Sequence, residues 1–195
     1  MGLVTAMTNY IRGGCIDYSA AVSGSIFAFI GSIIGTRLAI SLSPKILQIT
    51  LMVILPLVGV FIFTRGSEKS HPDKPPLAYK RKLIFCSLIG FIFGGYDGFF
   101  GPGAGMFMTI ALAGLVRLDL VKSAGTAKVI NFSSNFTSMI TWMINGKILF
   151  PVAIPCMICA IAGGYLGSRM AMKVGKKFIR LILVLVAVLL FIKIV

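Results

Sequence analysis

Three polar side chains recur at helical spacing inside an otherwise apolar segment. Lys128, Asn131 and Asn135 are separated by three and four residues, so a helix places them on one face. A cation and two amides, with the hydroxyl of Ser134 beside them, suit a small oxyanion because they offer positive charge and several hydrogen-bond donors. The alternative is a polar face that packs against neighbouring helices, and the sequence leaves both interpretations open.

The second candidate for chemistry is the glycine-rich stretch at residues 94–105, which contains six glycines and one proline. Such a stretch interrupts an apolar run, so we expect a broken or re-entrant helix that protein or water must shield from lipid. The next helix would start near Gly103 to Gly105, where free N–H groups and the positive end of the helix dipole favour an anion. A tight, glycine-packed kink without a ligand is the competing interpretation.

Asp97 lies within this stretch, and an ionisable residue at membrane depth needs a role. It could accept hydrogen bonds that hold the broken segment in shape, or pair with a buried base such as Lys128. It could instead titrate as the coupling site for a proton, and the sequence does not decide between these roles. The predicted substrate-binding residues are Asp97, Gly101, Gly103, Gly105, Lys128, Asn131 and Asn135.

The composition assigns the chain to the membrane. Of its 195 residues, 57% are hydrophobic and 12% are charged, and the mean hydropathy is +0.99. A soluble domain of this size needs far more polar surface, so we expect an integral membrane protein whose surroundings are the lipid bilayer. The net charge of +14 would suggest a nucleic-acid partner in a soluble protein. Here the basic residues lie in short connectors between apolar runs, so they indicate membrane orientation, not nucleic-acid binding.

The sequence offers little support for an enzyme. It contains no Gly-Lys-Ser/Thr phosphate loop, no His-rich metal pattern and no Gly-x-Ser-x-Gly elbow. Cys156 and Cys159 have no second pair that would complete a tetrahedral metal site. We therefore predict a protein that is not an enzyme and that needs no metal or cofactor.

The predicted fold is all-α and crosses the membrane several times. Five strongly apolar stretches approach the ~18 residues that a spanning helix needs. They are residues 19–42, 46–64, 83–100, 150–172 and 178–195. Two weaker segments follow the third stretch: residues 103–115, which are short for a crossing, and residues 121–144, which carry the polar face. That face must turn toward other helices or a wet cavity.

A basic, proline-containing linker at residues 65–82 orients these segments, because positive loops stay in the cytoplasm. The connector at residues 42–45 then lies outside. Residues 117–122 lie inside, either after a complete crossing or because residues 83–115 dip into the membrane and return. The connector at residues 173–177 also lies inside, and it carries three lysines where residues 42–45 carry one. The protein is expected in the inner (plasma) membrane.

An internal repeat relates the two parts of the chain. Residues 31–39, Gly-Ser-Ile-Ile-Gly-Thr-Arg-Leu-Ala, return at residues 163–171 as Gly-Gly-Tyr-Leu-Gly-Ser-Arg-Met-Ala. We predict inverted repeats, with residues 1–64 as the C-terminal part of the first and 83–195 as the second. About fifty residues of the first repeat would then be missing at the front, by the repeat logic of such carriers. The glycine pairs Gly31/Gly35 and Gly163/Gly167 predict close helix approach.

These motifs resemble a known family. Gly-Tyr-Asp-Gly-Phe-Phe-Gly-Pro-Gly-Ala-Gly at residues 95–105 resembles the glycine-rich signature of the TauE/SafE family of sulfite and organosulfonate exporters, and residues 124–135 and 163–171 resemble further segments. The resemblance implies an inner-membrane exporter, in two related halves, that moves small sulfur-containing oxyanions or organic acids by alternating access. The family's first glycine-rich segment has no match here. The alternative is a truncated, non-transporting membrane scaffold; either form could be a homo-oligomer.

Overall fold

The structure is a computed structural model in which the described residues are helical or connect helices, with no strand among them. It describes residues 7, 10–43, 45–50, 53, 77–101, 103–146, 148–159 and 161–162. Four helices dominate this part of the chain. They are α1 (Tyr18–Ser41), α2 (Tyr79–Phe99), α3 (Ala104–Leu115) and α4 (Leu120–Ile144).

The chain divides into two compact units. The four-helix unit comprises Ala6–Leu42 and Lys69–Ile148 and contains α1 to α4. The second unit comprises Met1–Thr5, Ser43–Glu68 and Leu149–Val195. Its described part includes helical residues 45–50 and the short apolar helix α5 (Phe150–Cys159). Several predicted features lie outside the described residues: most of residues 46–64, the linker up to residue 76, residues 163–171, the connector at 173–177 and residues 178–195.

Two of the described helices, α1 and α2, are long and apolar enough to cross a membrane. The bounds of α1, α3 and α4 lie within one residue of the apolar segments that the sequence predicts. Helix α2 begins at Tyr79, four residues before the apolar stretch starts. A helix continues into this basic turn because lysine and arginine carry long aliphatic stems and are good helix formers.

Helix α1 has its small residues inside and its large apolar residues outside. Its buried positions are all occupied by alanine, glycine, serine or threonine. Its exposed side chains include Ile26, Phe29, Ile34 and Leu38. In water this distribution would be unfavourable, but in a bilayer the large apolar side chains face lipid and the small ones let helices approach. The helix is therefore built for a hydrocarbon surrounding.

A seam of glycines joins α1 to α2. A Cβ atom added at Gly31 would overlap the carbonyl oxygen of Phe91, and one at Gly35 would overlap the carbonyl oxygen of Gly95. On the opposite side, a Cβ at Gly90 would overlap the Gly24 carbonyl oxygen. The close approach expected at Gly31 and Gly35 is therefore present, and it requires glycine because backbone lies where a side chain would begin.

Helices α1, α2 and α4 run in the same direction. At one end, the backbone N–H of Asp17 donates to Thr126 of α4, and the Asp17 carboxylate pairs with Lys82 of α2. Further along, Thr36 of α1 donates to the carbonyl oxygen of Gly98 and to the hydroxyl of Ser138, 3.1 Å away. The contacts advance in the same direction along all three helices, so the N-termini of these helices lie at one end of the unit.

Helix α3 runs back toward that end. Gly105, at its start, lies beside Asn131 near the middle of α4. Further along, Met108 and Leu112 of α3 and Val116 directly after it pack in one buried cluster with Cys86, near the start of α2. Helices α2 and α3 therefore form an antiparallel hairpin within the four-helix unit. Its returning arm has 12 residues, about 18 Å of helix.

The hairpin turns on two glycines with left-handed backbone. Gly101 and Gly103 both have φ 84°, a conformation that costs an L-residue about 1–2 kcal/mol. Aromatic rings brace the turn, because Phe107 of α3 stacks on Phe93 at 5.9 Å and meets Tyr96 edge-on at 5.6 Å between ring centroids. This packing holds the start of α3 against the last turns of α2.

The two copies of the sequence repeat share a local backbone pattern. Gly14 and Gly146 each follow the end of a helix, with φ 63° and 62°. Tyr18 begins α1, and Phe150 begins α5. Both pairs are separated by the offset at which the sequence motif recurs. A helix end, a left-handed glycine and a new helix therefore follow in the same order at both places.

Candidate functional site

Asp97 lies in the last turn of α2, just before the glycine turn, and not within the break where the sequence suggested it. Its side chain is buried, with 8% of the residue exposed. A buried carboxylate needs hydrogen-bond donors, because burial removes the water that would otherwise solvate it. The donors come from α4, which packs against this end of α2.

Three side chains of α4 donate to the same Asp97 oxygen, Oδ2. Asn131 Nδ2 lies 3.2 Å from it, and Asn135 Nδ2 lies 2.7 Å from it. The hydroxyl of Ser134 donates to it as well. The spacing of three and four residues on α4 gathers the two amides and the hydroxyl on one face, as the sequence predicts. The residues form a donor cluster that already holds an oxyanion of the chain itself.

The N-terminus of α3 adjoins this cluster. A Cβ atom at Gly105 would lie 3.6 Å from Asn131 Oδ1, and one at Gly101 would lie 3.9 Å from Asp97 Oδ1. Among the described residues, the N–H groups of Gly103 and Gly105 have no hydrogen-bond acceptor. First-turn N–H groups point out of a helix and carry the positive end of its dipole. The start of α3 and the side-chain donors of α4 thus lie next to each other.

Lys128 lies one turn before Asn131 on α4 and is partly buried. It forms no ion pair with Asp97, and in the described part of the chain its ammonium group has no hydrogen-bond partner. The pairing that the sequence offered for Asp97 and Lys128 is therefore replaced by neutral donors.

Sequence reasoning missed the hydroxyl groups on α1 that support the cluster from behind. Ser32 Oγ donates to the backbone carbonyl of Ser134 at 2.7 Å and lies 2.7 Å from the hydroxyl of Ser138. Thr36 links Ser138 to the carbonyl oxygen of Gly98. The available signal was a serine and a threonine four residues apart, each directly after a glycine of the seam.

A second charged cluster, also unexpected from the sequence, lies at the N-terminal end of the unit. Asp17 caps α1 by accepting from the N–H of Ala20 at 3.1 Å, accepts from the hydroxyl of Ser19 and pairs with Lys82. Burial by itself raises the pKa of the Asp17 carboxyl. The hydrogen bonds from Lys82, Ser19 and Ala20 and the positive charge of Lys82 outweigh burial, so the pKa lies below its ordinary value.

The described residues contain no group of three or more His, Cys, Asp or Glu side chains that could hold a metal ion. In the cluster around Asp97, two amides and a hydroxyl act as donors to the carboxylate. Cys156 and Cys159 are free and exposed on α5.

A helical chain with large apolar side chains outside and a polar cluster inside belongs to the class of helical membrane proteins. Comparison with known proteins identifies the family: the chain belongs to the TauE/SafE family, because the family description "Sulfite exporter TauE/SafE" matches residues 1–194. Together with the names of its relatives, this makes the chain a membrane transporter protein of the TauE/SafE type. No solved structure matches it.

Several curated relatives are similar over nearly the whole chain. A "Probable membrane transporter protein" of Haemophilus influenzae is 32% identical over 186 residues, covering 95% of this chain and 72% of the relative. "Probable membrane transporter protein YfcA" of Escherichia coli K12 is 27% identical, covering 95% and 68%. "Probable membrane transporter protein ORF9" of Sinorhizobium sp is 27% identical, covering 96% and 70%.

Proposed function

We propose that this chain transports small anions, sulfur-containing oxyanions or organic acids, across the inner membrane by alternating access. The observation that carries the proposal is the donor cluster beside the glycine turn. Two amides and a hydroxyl converge on the buried Asp97 beside the first turn of α3, and Lys128 lies one turn away on α4 with no ion-pair partner among the described residues. The family description, which names a sulfite exporter, supports an oxyanion as the substrate class.

The substrate site in this proposal consists of Asp97, Gly101, Gly103, Gly105, Lys128, Asn131 and Asn135. The backbone N–H groups of the α3 start and the amides of Asn131 and Asn135 bind the oxygens of the anion, and Lys128 balances its charge. Transporters of many folds place such sites at interrupted helices, because an unwound segment frees backbone groups without exposing them to lipid.

The orientation of the four-helix unit also belongs to the proposal. The N-termini of α1, α2 and α4 share one end, and that end carries a concentration of basic residues. They are Arg12, Lys80, Arg81, Lys82, Arg117 and Lys122. The positive-inside rule makes this the cytoplasmic end. The glycine turn then opens away from it, deep in the unit, and the hairpin of α2 and α3 enters from the cytoplasm and returns to it.

Replacing Lys128 with methionine tests the substrate site. Methionine keeps the length and apolar stem of the side chain but removes the charge, so anion uptake into proteoliposomes should fall at least about tenfold, the equivalent of about 1.4 kcal/mol. Lys122→Met is the matched control, because Lys122 is exposed on the first turn of the same helix. Sulfite, sulfonates and carboxylates serve as the substrate panel.

Unchanged uptake by Lys128→Met would remove Lys128 from the site. If the unmodified protein neither binds nor takes up any anion of the panel in a saturable way, anion transport itself is refuted. The sequence alternative, a membrane scaffold without transport, predicts that second result.

A further inference from the structure

The donors of the proposed anion site are already engaged by a carboxylate of the chain. Asn131 Nδ2, Ser134 Oγ and Asn135 Nδ2 all donate to Oδ2 of Asp97. A sulfonate or sulfite presents oxygen atoms to donors in the same way as a carboxylate does. In this conformation Asp97 therefore occupies the position of a substrate oxygen, and an incoming anion must compete with it.

The competition is electrostatic as well as geometric. Asp97 is buried in an apolar unit, where two negative charges a few ångströms apart repel strongly because little water screens them. When two acidic groups share such a site, one of them takes up a proton. The substrate of a sulfonate type stays ionised, so the proton must go to Asp97.

Among the charged and titratable groups around Asp97, its own carboxyl group is the one that can take up the proton. On its own helix, Tyr96 is the adjacent titratable residue. On α4, Lys128 lies one turn from Asn131 and forms no ion pair with Asp97. On α1, the hydroxyl groups of Ser32 and Thr36 bond the backbone of Ser134 and Gly98. The one basic residue of α1, Arg37, is exposed, and α3 carries no titratable side chain. Among the described residues no cation neutralises Asp97.

Two of the three donors also have a second acceptor within the cluster. The backbone carbonyl oxygen of Asn131 accepts from Ser134 Oγ at 3.0 Å and from Asn135 Nδ2 at 2.9 Å. If Asp97 becomes a neutral, weaker acceptor, these side chains remain oriented by that carbonyl oxygen. The N–H of Asn135 that Asp97 gives up is then free to bind the anion while the other stays on that carbonyl oxygen.

We propose that Asp97 is the coupling residue of the transporter: it takes up one proton when the anion binds and releases it when the anion leaves. Proton and anion then cross the membrane together in the same direction. This inference rests on the proposed function, because it requires an anion at the cluster. For a monovalent anion the joint movement is electrically neutral, so pH and concentration gradients set its direction and the membrane potential does not.

The test uses the purified full chain and methanesulfonate, whose charge does not change near neutral pH. Binding in a weakly buffered solution with a pH indicator should take up about one proton per anion. By linkage, the affinity should fall about tenfold for each unit of pH above the pKa of the unliganded carboxyl. Binding that takes up no proton, or that depends on sodium in place of pH, would overturn the inference and leave anion transport intact.

Asp97→Asn supplies the complementary experiment, because asparagine resembles the protonated acid in size and charge. The variant should bind methanesulfonate with an affinity that no longer depends on pH, and its uptake into proteoliposomes should carry net charge. Asp119→Asn is the matched control, because Asp119 is an exposed helix cap whose capping role asparagine also fills. It should behave as the unmodified protein does.

The outcomes separate the two proposals. A pH-dependent affinity that survives in Asp97→Asn would contradict the role of Asp97. If that variant fails to fold, proton uptake by the unmodified protein decides the question alone. If the unmodified protein binds no anion of the panel at any pH, the proposed function fails, and the coupling role fails with it.

Discussion

Asp17 and Asp97 place a carboxylate in an apolar unit in two different ways. Asp17 lies at the end of the unit, where a lysine neutralises it and a helix N-terminus donates to it. Asp97 lies inside and receives only neutral donors from α4. The first arrangement stabilises the charge, whereas the second leaves it uncompensated. A structural role suits Asp17, and a role in binding and release suits Asp97.

The Asp17 pair predicts a pH-dependent stability. Its carboxyl pKa is lowered in the folded chain, so its contribution is present above the ordinary value of about 3.9 and is lost as pH falls through the folded value. Asp17→Asn keeps a helix cap and removes the charge. We expect it to lower the stability by about 1 kcal/mol or less at neutral pH, the range of a partly screened ion pair.

Thermal unfolding in detergent at several pH values measures this difference. The gap between Asp17→Asn and the unmodified protein should close below about pH 4 and narrow in high salt. Lys82→Met should produce a loss of similar size at neutral pH. A gap that is constant over the whole pH range would show that the charge of Asp17 does not stabilise the fold.

At the residue scale, the sequence located the cluster but not its contacts. Helical spacing was enough to place Lys128, Asn131 and Asn135 on one face, and the glycine stretch marked the neighbouring turn. Spacing along one helix contains no information on which helix lies opposite. The engagement of Asp97 by amides in place of Lys128, and the links from Ser32 and Thr36, depend on the packing of α1, α2 and α4.

At the scale of the elements, the glycine seam between α1 and α2 makes a specific prediction. Gly31→Ala places a methyl group where the carbonyl oxygen of Phe91 lies, so the helices must separate. We expect a loss of about 1–3 kcal/mol, as for other overpacked contacts. Gly114→Ala is the control, because beyond its own helix no atom of the described residues lies within 4 Å of the added Cβ, and alanine favours a helix by up to about 1 kcal/mol.

Unfolding of the detergent-solubilised protein by heat or by a denaturing detergent measures both variants. If Gly31→Ala and Gly114→Ala unfold at the same temperature or detergent concentration, close contact along the seam does not contribute to stability. The comparison is internal to the chain, since both variants make the same chemical change in a helix.

The hairpin of α2 and α3 predicts that two neighbouring glycines have different functions. Gly103→Ala forces alanine into left-handed backbone, so it should cost about 1–2 kcal/mol of stability. Gly105→Ala meets no such strain, and its methyl group would lie at ordinary contact distance, 3.6 Å, from Asn131 Oδ1. We expect it to keep the unfolding temperature and to reduce anion affinity by about tenfold, because it narrows the space at the start of α3.

Unfolding temperature and anion binding, measured on the same preparations, separate these effects. A Gly105→Ala variant with normal affinity would argue that the anion does not approach the start of α3. A Gly103→Ala variant with normal stability would show that the turn can adopt another backbone path.

The helices themselves were largely predictable, because apolar length and glycine breaks are local properties of a sequence. The course of the chain from one helix to the next was less predictable. The sequence left open whether residues 103–115 complete a crossing or whether residues 83–115 dip into the membrane and return. Met108 and Leu112 in the buried cluster place α3 antiparallel to α2 and α4. Both alternatives share that course, so the number of crossings stays a prediction.

At the scale of the whole molecule, the predicted orientation can be tested by labelling single cysteines in a cysteine-free variant. Lys80→Cys and Lys122→Cys should react with a membrane-impermeant thiol reagent only from the cytoplasmic side. Lys45→Cys should react only from the opposite side, and Lys176→Cys should share the side of Lys80. These expectations follow from basic residues at one end of the unit and from an inverted repeat.

Labelling of Lys45→Cys and Lys176→Cys from a common side would rule out an inverted arrangement of the two repeats. The parallel course of α1, α2 and α4 would remain, because it follows from contacts within one unit. The repeat itself was visible in the sequence, since glycine and arginine recur at a fixed offset. Which side of the membrane a loop occupies can be predicted from the sequence only through the distribution of basic residues.

The bare backbone contact between α1 and α2 limits how the protein can move. Where carbonyl oxygens rest against the Cα atoms of the neighbouring helix, no side chain can change rotamer to let one helix slide past the other. We therefore expect α1 and α2 to move together as one rigid pair and to carry Asp97 with them. The proposed anion path would then open where the donors of α4 separate from this pair, and not by a rearrangement between α1 and α2.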